Sequence, residues 1–169
     1  LEAPDLGFSL VCSSPESLLK CDGKSVFTSP IKGTRPRGAH PDQEDELRHE
    51  MVHDEKERSE HRMLVDLMRN DISAVSKVGS VQVERFDVEA YAQVQHLVSQ
   101  ISGVLNEDST GLDALQAVFP GGSITGCPRT VVCAAIDELE QRPRSFWTGS
   151  IGWVDITSGA CSWNILIRT

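Results

Sequence analysis

From residue 44 to residue 70 the chain contains neither glycine nor proline and is dense in Glu, Arg, His, Met and Leu. Such residues are good helix formers, so the stretch predicts a helix of several turns. Met51, Leu64, Val65, Leu67 and Met68 would line its buried side, more strongly towards the C-terminal end. The flanking sequence is instead punctuated by turn residues. Residues 7–12 and 25–28 are short and β-prone, and Cys21-Asp22-Gly23-Lys24 between them carries the Asp-Gly signal of a hairpin. Glu16 then stands at the entry to a strand-turn-strand unit and Lys32 at its exit. Residues 35–43 are Pro, Gly and polar, which predicts a loop.

Downstream, residues 78–88 alternate apolar and polar and predict a strand, while 92–105 fit either strand or helix. Residues 112–119 predict a short helix closed by Pro120-Gly121-Gly122. Pro128 opens another through Val131, Ala135, Ile136 and Leu139, with Asp137, Glu138 and Glu140 on its other side. Residues 147–154 and 161–167 predict a final hairpin about Thr157-Ser158-Gly159.

The 169 residues suffice for one domain or a large piece of a bigger one. A start at Leu1 and a stop just after the apolar Ile165-Leu166-Ile167 suggest a segment of something longer. Sixteen basic against twenty-five acidic residues leave a net charge of −9, which argues against nucleic-acid or anionic-membrane partners. The five cysteines are spread without a C-x-x-C pair, so neither a disulfide framework nor a zinc knuckle is indicated and a reducing, cytoplasmic location is expected. No apolar run has the length of a membrane span.

Several clusters carry chemistry. Lys32 lies in Pro30-Ile31-Lys32-Gly33-Thr34-Arg35-Pro36-Arg37-Gly38, a Pro and Gly framework in which an amine can be held in place. Nearby arginines would favour its uncharged, nucleophilic form; the plain alternative is a solvated turn lysine. Glu57 and Glu60, three apart on one helical face, suit a hard divalent cation, or else form a solvated acidic face. His49-Glu50-Met51-Val52-His53 matches the zinc-protease H-E-x-x-H, but a third ligand is missing from the downstream sequence. The Gly-rich run Gly121-Gly122-Ser123-Ile124-Thr125-Gly126-Cys127-Pro128-Arg129 opens a helix and would present N–H groups to an anion. Arg168, ending an apolar strand, is a candidate carboxylate clamp.

In order, Ser14-Pro15-Glu16, Pro30-Ile31-Lys32-Gly33-Thr34, the 56–71 run ending Met63-Leu64-Val65-Asp66-Leu67-Met68-Arg69-Asn70-Asp71, Gln95-His96-Leu97, the loop at 119–128, Ile136-Asp137-Glu138-Leu139 and Gly149-Ser150-Ile151-Gly152 resemble the chorismate-utilising enzymes. The resemblance covers nearly the whole chain. It implies an α+β fold of stacked antiparallel β-sheets flanked by helices, of which residues 1–169 would be the central part. Within that family, anthranilate synthases and isochorismate synthases usually carry alanine where this chain has Lys32, and Pro-Ile-Lys-Gly-Thr is similar to aminodeoxychorismate synthase component I.

The implied reaction is amination of chorismate at C4, on the way to p-aminobenzoate and folate, with ammonia from a glutamine amidotransferase. Lys32 would attack C2, Glu16 would act as general acid on the C4 hydroxyl, and His96 would lie near that leaving group. Glu57 and Glu60 would hold Mg²⁺, and Gly33, Thr34, Gly122, Ser123, Thr125 and Arg168 would bind substrate. Cys127 and Arg129 depart from the family's Ala and Lys. The resemblance also implies further segments on both sides, so the isolated 169 residues are expected to be poorly active. Anthranilate synthesis, or chorismate binding without catalysis, remain the alternatives.

Overall fold

A computed structural model describes all 169 residues. Strands β1 (Glu2–Ala3) and β2 (Phe8–Ser9) form a small ribbon, and seven further strands make one antiparallel sheet: β3 (Ser17–Asp22), β4 (Ser25–Thr28), β5 (Ile31–Pro36), β6 (Gln82–Ala90), β7 (Val94–Val104), β8 (Ser150–Val154) and β9 (Ala160–Ile165). The Asp22-Gly23 signal is realised as written. The Asp22 carboxylate accepts the N–H groups of Lys24 at 2.9 Å and Ser25 at 2.7 Å, and Gly23 supplies φ +93°. A Cβ on Gly23 would also strike the carbonyl of Ser158 in the β8–β9 turn.

β7 organises the sheet. Along one edge it pairs with β6, and along the other with β4 and then β5, which follow one another in line. The order across the sheet is therefore β6, β7, β4 with β5, β3, β9, β8. The ambiguity at 92–105 is resolved as a strand, because Leu97, Val98, Ser99 and Ile101 are buried between neighbours on both edges. The predicted strand at 78–88 begins later, at Gln82, and the one at 7–12 is reduced to Phe8–Ser9, with β3 supplying the first arm of the hairpin. Arg35 and Pro36, expected in a loop, continue β5 against Gln95 and Val94.

Helices α1 (Pro41–His53), α2 (Glu55–Ser73), α3 (Gly111–Val118), α4 (Gly122–Thr125) and α5 (Arg129–Glu140) complete the α+β architecture of antiparallel sheets with flanking helices. The single helix expected at 44–70 is two. Asp54 is extended at ψ 111°, yet its N–H still closes α1 on the Glu50 carbonyl at 2.9 Å. Its carboxylate caps α2 by accepting from Glu57 N–H at 2.9 Å.

Leu64 and Met68 of α2 are buried as the pattern required, Val65 and Leu67 only partly, and Ile72, beyond the expected helix end, is buried as well. Met68 and Ile72 join Leu18, Leu19, Val26, Ile101 and Ile165 of the sheet and Ala114 and Val118 of α3 in the main core. Each such aliphatic side chain contributes about 1.5–3 kcal/mol of burial, before entropy offsets it. A smaller cluster of Met51, Val88 and Leu97 seats α1 on the sheet. Helix α5 buries no residue, and Val131 and Leu139 of its expected core stripe face outward. No helix is long and apolar enough to cross a membrane.

Candidate active site

Register decides where the β5 side chains go. Lys32 pairs with Leu97 and Thr34 with His96, so a bulge at Gly33 inserts one residue between two consecutive pairs. Without it, Lys32 and Thr34 would share a face, since strand side chains alternate. With it, Lys32 turns towards α2 and Thr34 turns to the opposite face with His96. Gly33 has φ +84°, and a Cβ there would meet Glu57 Oε2 at 2.5 Å. Glycine at 33 thus creates the bulge and lets the helix approach.

On the helical face Lys32 Nζ lies 2.7 Å from Glu60 Oε2. Lys32 stands at the start of β5, just past the β3–β4 strand-turn-strand unit as expected, but the arginines that follow it are taken up by carboxylates. Arg35 bonds Glu57 Oε1 at 2.7 Å and reaches Glu50 at 3.4 Å, while Arg37 bonds Glu44 at 2.6 Å and the Tyr91 carbonyl at 2.6 Å. Glu60 titrates below the usual carboxylate range because of its hydrogen bond and charge attraction to Lys32. Glu57 keeps Oε2 buried and without a partner. An orphaned hard oxygen beside a second carboxylate is a donor set that suits Mg²⁺, which completes its shell with water and substrate oxygens. One residue beyond Glu60, His61 is fully buried, and that burial lowers its pKa to about 4.

On the opposite face Thr34 Oγ1 and His96 Nδ1 are 2.9 Å apart, and the Tyr91 ring lies 5.5 Å from the imidazole. The structure therefore separates His96 from Lys32 across the sheet, though the two lie on adjacent strands.

Glu16, just before β3, is buried, and desolvation raises its pKa. The Ser123 hydroxyl is near enough to favour the ionised form slightly, but no hydrogen bond of good geometry joins them. Glu16 Oε1 and Ser123 Oγ are both buried without partners. Glu16 makes no hydrogen bond or ion pair with Lys32; its carbonyl accepts from Ile165 N–H at 3.1 Å.

The Gly-rich run does not flow straight into a long helix, as expected from sequence. It forms the single turn α4, separated from α5 by Gly126, Cys127 and Pro128. A Cβ on Gly122 would press on the Leu67 side chain of α2, and the Thr125 hydroxyl is turned to the Gly121 and Gly126 carbonyls. Arg168 lies at the exposed chain end with φ +54°, its carbonyl accepting from Ser13 N–H, and its guanidinium makes no ion pair.

One feature was invisible in the sequence. Arg129 forms an ion pair with buried Asp71 of α2 and bonds the Ala117 carbonyl at 2.9 Å, strapping α5 to α2 and α3. His49 and His53 stack at 3.9 Å on exposed α1 with Glu50 directed to Arg35, and no group of three His, Cys, Asp or Glu side chains is placed to hold a metal. The zinc-protease motif is thus without its third ligand.

Residues 3–169 match the family model described as chorismate binding enzyme. The chain belongs to that family. It is 46% identical to aminodeoxychorismate synthase component 1 of Bacillus subtilis, over all of this chain and 36% of that protein. It is 50% identical to an anthranilate synthase component 1 of Haloarcula marismortui, over all of this chain and 34% of that protein. The crystal structure of anthranilate synthase component I from Streptococcus pneumoniae superposes with TM-score 0.84 at 38% identity, over 94% of this chain and 34% of that one. The chain thus spans about a third of the length of the curated chorismate enzymes it matches.

Proposed function

We propose that the protein carrying this chain aminates chorismate at C4, giving 4-amino-4-deoxychorismate. The observation that carries the reading is Lys32, an amine held on β5 against the Glu60 carboxylate of α2. Its partner Glu60 is partly exposed, and such an ion pair is weak and screened, so substrate displaces it at little cost.

The neutral Lys32 amine forms a bond to C2 of the ring while both ring double bonds shift, C1=C2 to C1=C6 and C5=C6 to C4=C5, and the C4–O bond breaks, the hydroxyl leaving as water. Glu16, whose pKa burial raises, supplies the proton. Ammonia then bonds to C4, both double bonds shift back to C5=C6 and C1=C2, and the C2–N bond to Lys32 breaks, restoring the lysine. A glutamine amidotransferase supplies that ammonia. Glu57 and Glu60 would hold Mg²⁺, which when bound neutralises a substrate carboxylate. Ser123, Thr125, Gly122 and Arg168 are assigned to the substrate's anionic groups; Thr34 and His96, bonded to each other on the opposite face of the sheet from Lys32, are given no contact with the same ring.

Anthranilate synthesis is the second reading, supported by relatives of that name at similar identity. The full-length protein, given chorismate, Mg²⁺ and an ammonium salt, should yield 4-amino-4-deoxychorismate on chromatography, and Lys32→Ala should fall to background. Anthranilate as product, or unchanged turnover in Lys32→Ala, would sink the assignment.

A further inference from the structure

His61 and Ser99 form a polar contact inside an otherwise apolar layer. His61 Nε2 lies 2.7 Å from Ser99 Oγ, and both residues are completely buried. The imidazole meets the Phe86 ring edge-on at 5.2 Å. Leucine at 61 over alanine at 99 would pack here without any polar group, so burial alone does not account for the pair. A buried hydrogen bond of this kind fixes one arrangement among several that apolar packing tolerates.

The position of Ser99 shows which arrangement is fixed. The β4 ladder to β7 ends at Thr28 opposite Ile101, and the β5 ladder resumes at Ile31 opposite Val98. Ser99 sits in the gap, and its N–H donates to the Pro30 carbonyl at 3.2 Å. One residue thus holds the helix through its side chain and the lysine strand through its backbone. Its two partners, His61 and Pro30, stand one and two residues from Glu60 and Lys32. Neighbouring residues on a helix are about 100° apart around its axis, so locking His61 in place also sets the direction in which Glu60 points.

We infer that His61 is a positioning residue: through Ser99 and Pro30 it locks the rotation of α2 against β5 and so keeps Glu60 on Lys32. The consequence for turnover rests on the reading of Lys32 as the reacting amine; the tether itself does not.

Acylation of Lys32 in the full-length protein by an N-hydroxysuccinimide ester, followed by peptide mass spectrometry, tests the tether directly. Glu60→Gln sets the rate for a released lysine, expected at about three times wild type or more for a partly exposed pair. His61→Leu and Ser99→Ala should approach that rate, while His61→Gln, which retains a hydrogen-bonding group with the reach of Nε2, should stay near wild type. Ser99→Ala keeps the question open to measurement if His61→Leu does not fold.

Wild-type labelling in both His61→Leu and Ser99→Ala, against faster labelling in Glu60→Gln, overturns the inference. So does an unchanged rate in Glu60→Gln itself. In turnover, His61→Leu should lose about tenfold or more in kcat with KM little changed, restored in His61→Gln, as expected when a reacting group is misplaced. The labelling pattern without any Lys32-dependent turnover in wild type would leave the tether standing and remove the nucleophile reading instead.

Discussion

Glu60 Oε2 sits 2.7 Å from Lys32 Nζ, while Glu57 on the same helical face gives Oε1 to Arg35 and leaves Oε2 unpartnered. An oxygen that holds the lysine is not free for a cation, so the counter-ion role and the proposed metal role of Glu60 compete.

Lys32 is therefore expected to become more reactive towards an acylating reagent as Mg²⁺ is raised, and to return to its basal rate on chelation. Glu57→Gln should raise the Mg²⁺ needed for half-maximal turnover by about tenfold, the scale expected when a carboxylate donor is lost. A titration of turnover against free Mg²⁺ checks this, and an unshifted midpoint would remove Glu57 from the metal site.

Gly33→Ala combines a strained positive φ with a Cβ pressed on Glu57 Oε2. The backbone term alone costs about 1–3 kcal/mol. Either the bulge slips, turning Lys32 from the helix, or the Glu57 carboxylate is driven from its place. Both outcomes should abolish turnover while the protein still unfolds cooperatively, which urea denaturation monitored alongside activity will show.

Burial raises the Glu16 pKa above its ordinary value of 4.5, so the folded state binds this proton more tightly than the unfolded chain. Its contribution to stability is full below that ordinary value and is lost as pH rises through the raised one. Acid catalysis follows the same window: kcat/KM should fall as pH rises through the raised pKa. Glu16→Gln should flatten that limb and cost about a hundredfold in rate. Profiles of kcat/KM against pH for both proteins decide it, and an identical alkaline limb in Glu16→Gln would count against the acid assignment.

The sequence carried some of this and not the rest, for physical reasons. Asp22-Gly23 was legible because a turn of that kind is specified by the residues that make it. The break at Asp54 had a local signal too, the Asp-x-x-Glu spacing to Glu57 that caps α2, but the absence of Gly and Pro concealed it. The extension of β5 through Arg35 and Pro36 had no local signal, because it depends on pairing with a strand some sixty residues away. Glu16 and Lys32 were picked out singly, but their placement on separate polar clusters follows from register. Helix α5 shows the opposite failure: its apolar stripe is real in sequence, yet Val131 and Leu139 find no partner.

Arg129 and Asp71 make the strap that no pattern suggested. Asp71 is drawn two ways, its pKa raised by burial and lowered by the guanidinium. Arg129→Ala leaves that carboxylate without a counter-charge and should cost about 3 kcal/mol, the lower end for breaking a buried pair that keeps some water contact. The urea midpoint measures it, and Arg129→Lys should recover part of the loss while giving up the bond to Ala117.

The Gly33 bulge gives the two faces of β5 separate evolutionary fates. A new side chain at position 32 faces α2, and leaves Thr34 and His96 bonded on the far side of the sheet. The residue proposed to choose the product can thus be exchanged by a single codon change without rebuilding the opposite wall. One ancestral sheet could diverge into several chorismate chemistries in that way.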